Sequence, residues 1–184
     1  MRIPPQAKSV FKGEIFEIFQ WEQELFDGTT AIFERARRAD TAFVIPILDG
    51  KIVIADEEQP GGRQFVTLPG GRLEKNESAE IGMQRELLEE TGLQSTDLEL
   101  LTVYEPAGKI DWKISIFIAR GCIQKAEPHL DPGEKISLRK VSFDEFCEQV
   151  FSSEFRIKDF AHLLLRWKFL EPEKLVEFRK KLGL

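Results

Sequence analysis

Residues 71–93 read GRLEKNESAEIGMQRELLEETGL, and their chemistry lies in three carboxylates, Glu86, Glu89 and Glu90. Spacings of three and four residues put side chains on one face of an α-helix, with Cβ atoms about 5–6 Å apart. Carboxylates gathered there repel one another unless a cation sits among them. An all-oxygen donor set suits a hard divalent cation, Mg²⁺ or Mn²⁺, better than zinc. The alternative is an acidic face turned to solvent, the ordinary meaning of a charge run. Three local features weigh against it. Thr91-Gly92-Leu93 is a helix stop with glycine just past the last turn. Ile81, Leu87 and Leu88 give the same helix an apolar side to bury. Leu68-Pro69-Gly70-Gly71 is a tight turn leading into it. On a regular helix Arg85 points away from the acids and is placed to pair with Glu77, holding the loop against the helix. No lysine or arginine follows Glu89 by four residues, so an ordinary surface pair explains that residue poorly.

The carboxylates need a scaffold. Asn76 or Ser78 can cap a helix running to about Thr91. Gly82 inside it costs about 1 kcal/mol against alanine, which points to a close approach to the sheet. Apolar runs at 42–48, 51–55, 98–104, 113–119 and 136–141 predict strands, with Asp49-Gly50 turning between the first two. Ser142 opens a helix whose Phe143, Phe146, Cys147, Val150 and Phe151 follow a 3–4 spacing. Residues 155–170 continue helically, Glu171-Pro172 breaks the run, and 173–182 is a last short helix. Upstream, Asp27-Gly28 is a hairpin signal joining aromatic-rich segments, so two or three antiparallel strands are expected before Asp40. Such a sheet is too small to stand alone and must lie on something. The organisation expected is a small N-terminal antiparallel sheet over residues 1–40 and an α/β/α sandwich over 41–184.

The chain has 184 residues, enough for one domain with a substantial core. Its net charge of −6 argues against a partner as acidic as nucleic acid. No stretch approaches the ~20 apolar residues of a membrane span. Cys122 and Cys147 show no C-x-x-C spacing and read as reduced thiols. A cytoplasmic location is the default expectation.

The 71–93 segment resembles the Nudix box, the signature of hydrolases that cleave nucleoside diphosphates linked to another moiety. Gly71, Glu77, Arg85, Glu86, Leu87, Glu89, Glu90, Gly92 and Leu93 fill its specified positions. Over residues 10–155 the chain looks most like the ADP-ribose pyrophosphatase branch. That likeness rests on Gly13 before an aromatic strand, the Asp27-Gly28 hairpin, Glu58-Gln59, the turn from Tyr104 to Gly108, and the Asp131-Pro132-Gly133-Glu134 loop. The resemblance implies a metal-dependent hydrolase, with ADP-ribose cut to AMP and ribose 5-phosphate as the first expectation. It implies Glu86, Glu89, Glu90 and the Gly70 carbonyl as Mg²⁺ or Mn²⁺ ligands. It also implies Glu134, or Asp131 after it, as general base, and a homodimer that exchanges the N-terminal sheet. Phe16 and Trp21 are candidates for stacking on a base, with plain sheet packing the alternative. Arg63 is the nearest match to an arginine the branch carries after its Glu-Gln pair. Pro60-Gly61-Gly62 intervenes, however, and Lys109, Ile110, Asp111 and Trp112 stand where the branch has an acid pair near the substrate sugar. GDP-sugars and dinucleotides therefore stay open, as does a nucleotide sensor without turnover, although intact box glutamates favour the enzyme. His129 near the last loop and His162 in an apolar helix are weaker site candidates.

Overall fold

The computed structural model describes residues 3–106 and 108–184, so Ala107 of the 104–108 turn lies outside the described residues. Strands β1 (Lys8–Lys12), β2 (Glu17–Glu24) and β3 (Thr30–Arg37) come first. Gly28 turns the chain at φ +82°, so that Trp21 faces Phe33 across an antiparallel β2–β3 pair. The β4 (Thr41–Leu48) and β5 (Lys51–Glu58) hairpin turns at Asp49 and Gly50, both at positive φ. Short β6 (Phe65–Thr67) and β7 (Gly70–Arg72) lead into helix α1 (Ala79–Thr91). Then come β8 (Leu93–Gln94), β9 (Asp97–Tyr104), β10 (Ile110–Asp111), β11 (Ile114–Arg120), β12 (Ile123–Gln124) and β13 (Lys135–Val141). Helices α2 (Phe143–Phe151), α3 (Lys158–Leu170) and α4 (Pro172–Leu182) close the chain.

The central sheet runs β13-β5-β4-β11-β9, with β4 and β11 parallel. Strands β4 and β5 pair only near their hairpin, at Ile47↔Ile52 and Leu48↔Lys51. Beyond that they part. β7 takes the freed edge of β4 and β6 that of β5. The turn at Pro69 is therefore wedged into a split sheet, where Val44 N–H donates to the Pro69 carbonyl at 2.9 Å. This split brings the glycine turn against the C-terminal half of α1, where Gly70 meets Glu90.

Alternation along the strands sends side chains to two cores, one on each face. Ala42, Val44, Val53, Phe117 and Ala119 meet Met83 and Leu87 of α1. Ile45, Ile52, Ile54, Ile116 and Ile118 meet Phe146, Phe160 and Phe178 of the C-terminal helices. The result is an α/β/α sandwich. Beside it the N-terminal strands form a sheet in the order β1-β2-β3-β10, and its last strand comes from the loop after β9. That parallel β3–β10 pair, Ala36↔Ile110 and Arg37↔Asp111, was not expected from sequence. Nor does α3 begin at Phe155. Phe155 is fully buried and bridges Val66, and the helix starts three residues later at Lys158.

Candidate active site

Helix α1 is fixed at both ends. The Ser78 side chain accepts from the Ile81 N–H at 3.3 Å, and Gly92, at φ +69°, donates to the Leu88 carbonyl at 2.8 Å. Met83 and Leu87 anchor one face in the core, and this draws the next turn inward with Glu86 and Glu90, which are 9% and 5% exposed. The Gly70 N–H donates to Glu90 Oε2 at 2.7 Å, locking the glycine turn to the helix. A Cβ on Gly71 would stand 2.6 Å from Glu86 Oε1, so a side chain there would push the Glu86 carboxyl from its place. Gly82 packs closely too, but on the loop rather than the sheet. A Cβ there would lie 2.4 Å from Leu73 Cδ2 and 2.7 Å from Glu77 Oε2.

Arg85 binds Glu77 through both Nε and Nη2, at 3.0 and 3.1 Å. It does not point away from the acids as the helical spacing suggested. Its Nη1 donates to Glu86 Oε1 at 3.0 Å and to Glu89 Oε2 at 2.9 Å, because the long side chain folds back across the turn. Glu89 thus has its i-to-i+4 partner on the N-terminal side. The hydrogen bonds from Arg85, joined by the Glu74 N–H, hold the Glu77 carboxyl below the usual glutamate range. Glu86 moves the other way. Burial pushes it up to about 7 despite the opposing pull of Arg85. Burial pushes Glu90 up to about 9, with the Gly70 N–H opposing and the carboxylates of Glu86, Glu134 and Glu57 adding repulsion.

The loop before β13 hangs from the C-terminal end of α1. Lys125 and Ala126 N–H groups donate to the Gly92 carbonyl at 2.8 and 3.1 Å, and His129 N–H donates to the Glu89 carbonyl at 2.7 Å. The loop closes on itself through Glu134 N–H to Asp131 O at 2.9 Å and Asp131 N–H to Glu134 Oε2 at 3.1 Å. Burial raises the Glu134 carboxyl, with Asp131, Glu57 and Glu89 contributing repulsion.

Two cavities meet at Gly71, Arg72, Glu90 and Glu134. The larger, about 1050 Å³, is acidic. Glu86, Glu89, Glu90, Asp131 and Glu134 line it, with His129 at its margin. The smaller, about 410 Å³, is aromatic and basic, with Phe43, Tyr104, Trp112, Arg38 and Arg156 in its walls. Glu86, Glu89, Glu90 and Glu134 thus share one cleft, and Gly70 lines the adjoining cavity. The other sequence-selected residues lie elsewhere. Trp21 is buried against Phe33, its indole N–H given to Gln23 Oε1 at 3.1 Å, and lines neither cavity. Phe16 stands at the sheet margin with the Arg38 guanidinium 5.9 Å from its ring centre. Arg63 is exposed on the loop after β5 and lines neither cavity. His162 lies on α3, outside both. The walls from Arg38, Trp112 and Arg156 were missed, because nothing local in the sequence says that β3, the 112 loop and the start of α3 converge.

Among the described residues, no three His, Cys, Asp or Glu side chains already close around an ion-sized point. Arg85 occupies that space, with one nitrogen on both Glu86 and Glu89. The donor chemistry nevertheless fits a hard divalent cation. Burial opposes the ionisation of Glu86 and Glu90, a cost that a cation beside them would repay, every donor is oxygen, and a glycine turn borders them. If Arg85 kept its two bonds to Glu77 and released the others, Glu86 and Glu89 would be free.

An acidic helix, a glycine turn locked to it and a sandwich with one helical layer on each face define a class. The chain belongs to the Nudix family, its residues 37–164 matching the NUDIX domain, and it is a Nudix hydrolase. It is 30% identical over 158 residues to the methanol dehydrogenase activator of Bacillus methanolicus, covering 84% of each chain. It is 28% identical over 151 residues to the ADP-ribose pyrophosphatase of Bacillus subtilis strain 168, covering 80% of this chain and 82% of that one. The crystal structure of an ADP compounds hydrolase shares the fold at a TM-score of 0.73 and 19% identity, covering 92% of this chain and 94% of the other.

Proposed function

We propose that this Nudix hydrolase cleaves the pyrophosphate bond of a nucleoside diphosphate derivative, with ADP-ribose giving AMP and ribose 5-phosphate as the leading substrate. The observation that carries the reading is the pair Glu86 and Glu90, buried on one face of α1 beside the Gly70–Gly71 turn. The similarity to the Bacillus subtilis pyrophosphatase supports the choice of substrate.

In this reading Glu86, Glu89, Glu90 and the Gly70 carbonyl would hold Mg²⁺, whose chemistry when bound would be to offset pyrophosphate charge and lower the pKa of water. The chain's own groups do the rest. The Gly70 N–H fixes the Glu90 carboxylate, leaving one oxygen to the cleft. Glu77 holds Arg85 and so sets the pitch of the loop against the helix. Glu134, its carboxyl raised by burial, takes the proton from the attacking water. Arg72, at the junction of the two cavities, meets the phosphates as they enter. A homodimer is part of the reading. Phe11, Ile15 and Ile32 of the N-terminal sheet region are more than half exposed, an apolar surface that a second copy would cover.

Phosphate release in a phosphatase-coupled assay, run with Mg²⁺ and ADP-ribose, GDP-mannose, NADH and diadenosine polyphosphates, tests the proposal. Preference for ADP-ribose upholds it. Turnover of another compound alone retains the chemistry and replaces the substrate. The likeness to an activator of methanol dehydrogenase favours a second reading, in which the chain acts on a partner dehydrogenase. Absence of turnover with every compound would move the conclusion there.

A further inference from the structure

Arg38, Arg72 and Arg156 come from the residue after β3, from β7 and from the segment ahead of α3, and all three line the 410 Å³ cavity. Lys158 joins them. On that side of Glu90 and Glu134 the opposing charges are Glu57 and Asp159. Guanidinium groups repel one another, and a cavity that gathers three of them is built for an anion. Arg38 and Arg156 keep donors that are not spent on the described residues, and the Arg72 guanidinium reaches only Glu14 O among them, at 3.5 Å. Arg38 Nε is buried without a hydrogen-bond partner among the described residues, and the Arg38 guanidinium rests on the Trp112 ring, 4.2 Å from its centre. Arg156 lies 3.5 Å from Glu57 Oε1, the outer limit of a hydrogen bond, leaving its fork largely free.

Arg156 is also the best positioned of the three. Its N–H donates to the Val66 carbonyl at 2.8 Å, and the Val66 N–H donates to Glu154 O at 3.1 Å. Phe155 between them is fully buried. The guanidinium lies over the Phe65 ring, 4.6 Å from its centre, with Glu57 beside it. A planar cation stacked on one face and pinned at its backbone keeps its edge donors aimed in one direction. By contrast Arg63, the arginine that sequence position favoured, is exposed and outside the cavity.

We infer that Arg156, with Arg38 and Arg72, forms a phosphate-binding claw, and that Arg156 is a specificity-determining residue holding the phosphoryl group on the far side of the scissile bond from the acidic cleft. The substrate's two phosphates would then straddle the junction at Glu90 and Glu134. One faces the carboxylate cleft and its neighbour faces three guanidinium groups. Desolvation and repulsion from Arg156 and Arg72 depress the Arg38 guanidinium, as expected of cations assembled before their anion arrives. The inference rests on the hydrolase reading for its catalytic meaning, but the anion site itself does not depend on the nucleotide chosen.

The test is calorimetric titration with inorganic pyrophosphate in EDTA, alongside ADP-ribose kinetics in Mg²⁺, on the full chain and on Arg156→Gln and Arg156→Lys. Bidentate charge-assisted contacts predict that Arg156→Gln weakens pyrophosphate roughly tenfold or more and raises KM by a similar factor, with kcat changing less. Arg156→Lys should recover part of the binding, since charge survives and the fork does not. Equal melting temperatures establish that each variant is folded. Unchanged pyrophosphate affinity and KM in folded Arg156→Gln would overturn the claw. So would a failure of the unsubstituted chain to bind pyrophosphate, or a loss that follows Arg63→Gln in place of Arg156→Gln. If no nucleotide is hydrolysed, the substrate reading fails, yet the titration still decides whether the claw exists.

Discussion

At the scale of single residues, Glu90 separates catalysis from stability. It is a buried carboxylate whose only direct partner among the described residues is the Gly70 N–H. An amide oxygen can accept that bond equally well, and an amide avoids the cost of ionising a carboxyl that burial has raised to about 9. Glu90→Gln should therefore keep or raise the melting temperature while turnover falls roughly 10²- to 10³-fold, the scale of losing one charge-stabilising group in a reaction centre. Activity assays and thermal melts on the same preparation check this, and equal activity would remove Glu90 from the site. The acids themselves were legible in the sequence, since spacing alone put Glu86, Glu89 and Glu90 together. The reach of Arg85 was not. Helical periodicity locates a Cβ, but a guanidinium ends several bonds further on, and here it folds back over Glu86 and Glu89.

At the scale of elements, Gly82 sets two effects against each other. Alanine in a helix interior is worth about 1 kcal/mol over glycine. Against this, its Cβ would press on Leu73 and on a Glu77 carboxylate held by Arg85 and the Glu74 N–H. Forcing a methyl group into such a contact costs about 1–3 kcal/mol, and Glu77 cannot swing aside without giving up its bonds. Gly82→Ala should therefore be net destabilising by about 1 kcal/mol, and denaturant unfolding would measure it. A stabilised variant would mean that the loop yields easily. The central strands and helices were legible because they are long and periodic. The short strands β7, β8, β10 and β12 were not. Strands of two or three residues carry no period, and they exist only because a neighbouring edge accepts them.

For the molecule as a whole, the raised carboxyls would link the proposed cation to stability. Glu86 and Glu90 sit at about 7 and about 9, against 4.5 for an ordinary glutamate. Their folded values lie above the unfolded one. The stability they contribute is fully present below about pH 4.5 and is lost as pH rises through the two folded values. A cation that binds the ionised forms opposes this loss. The melting temperature of the metal-stripped chain should therefore fall between about pH 6 and about pH 9, and Mg²⁺ should raise it more at the higher pH. Thermal melts in EDTA and in Mg²⁺ at both pH values decide it, and equal increments would detach these groups from the metal. The N-terminal sheet offers a second test. Deleting residues 1–38 should abolish the proposed dimer and weaken substrate binding together, because it removes Arg38, just after β3, and the brace on the 108–111 segment through β10. Sedimentation with activity assays would show it, and a fully active monomer would remove the exchanged sheet. No described helix is long and apolar enough to cross a membrane.

The end of α1 has a consequence for how this protein tolerates genetic change. Gly92 ends the helix at positive φ, and a Cβ on it would stand 2.0 Å from the Ala126 carbonyl. The same residue's carbonyl suspends the loop that carries Glu134. The residue thus serves helix termination and loop docking at once. An allele altering it would leave Glu86 and Glu90 on their helix but unseat Glu134, and so separate the cation-holding and proton-handling roles proposed for them.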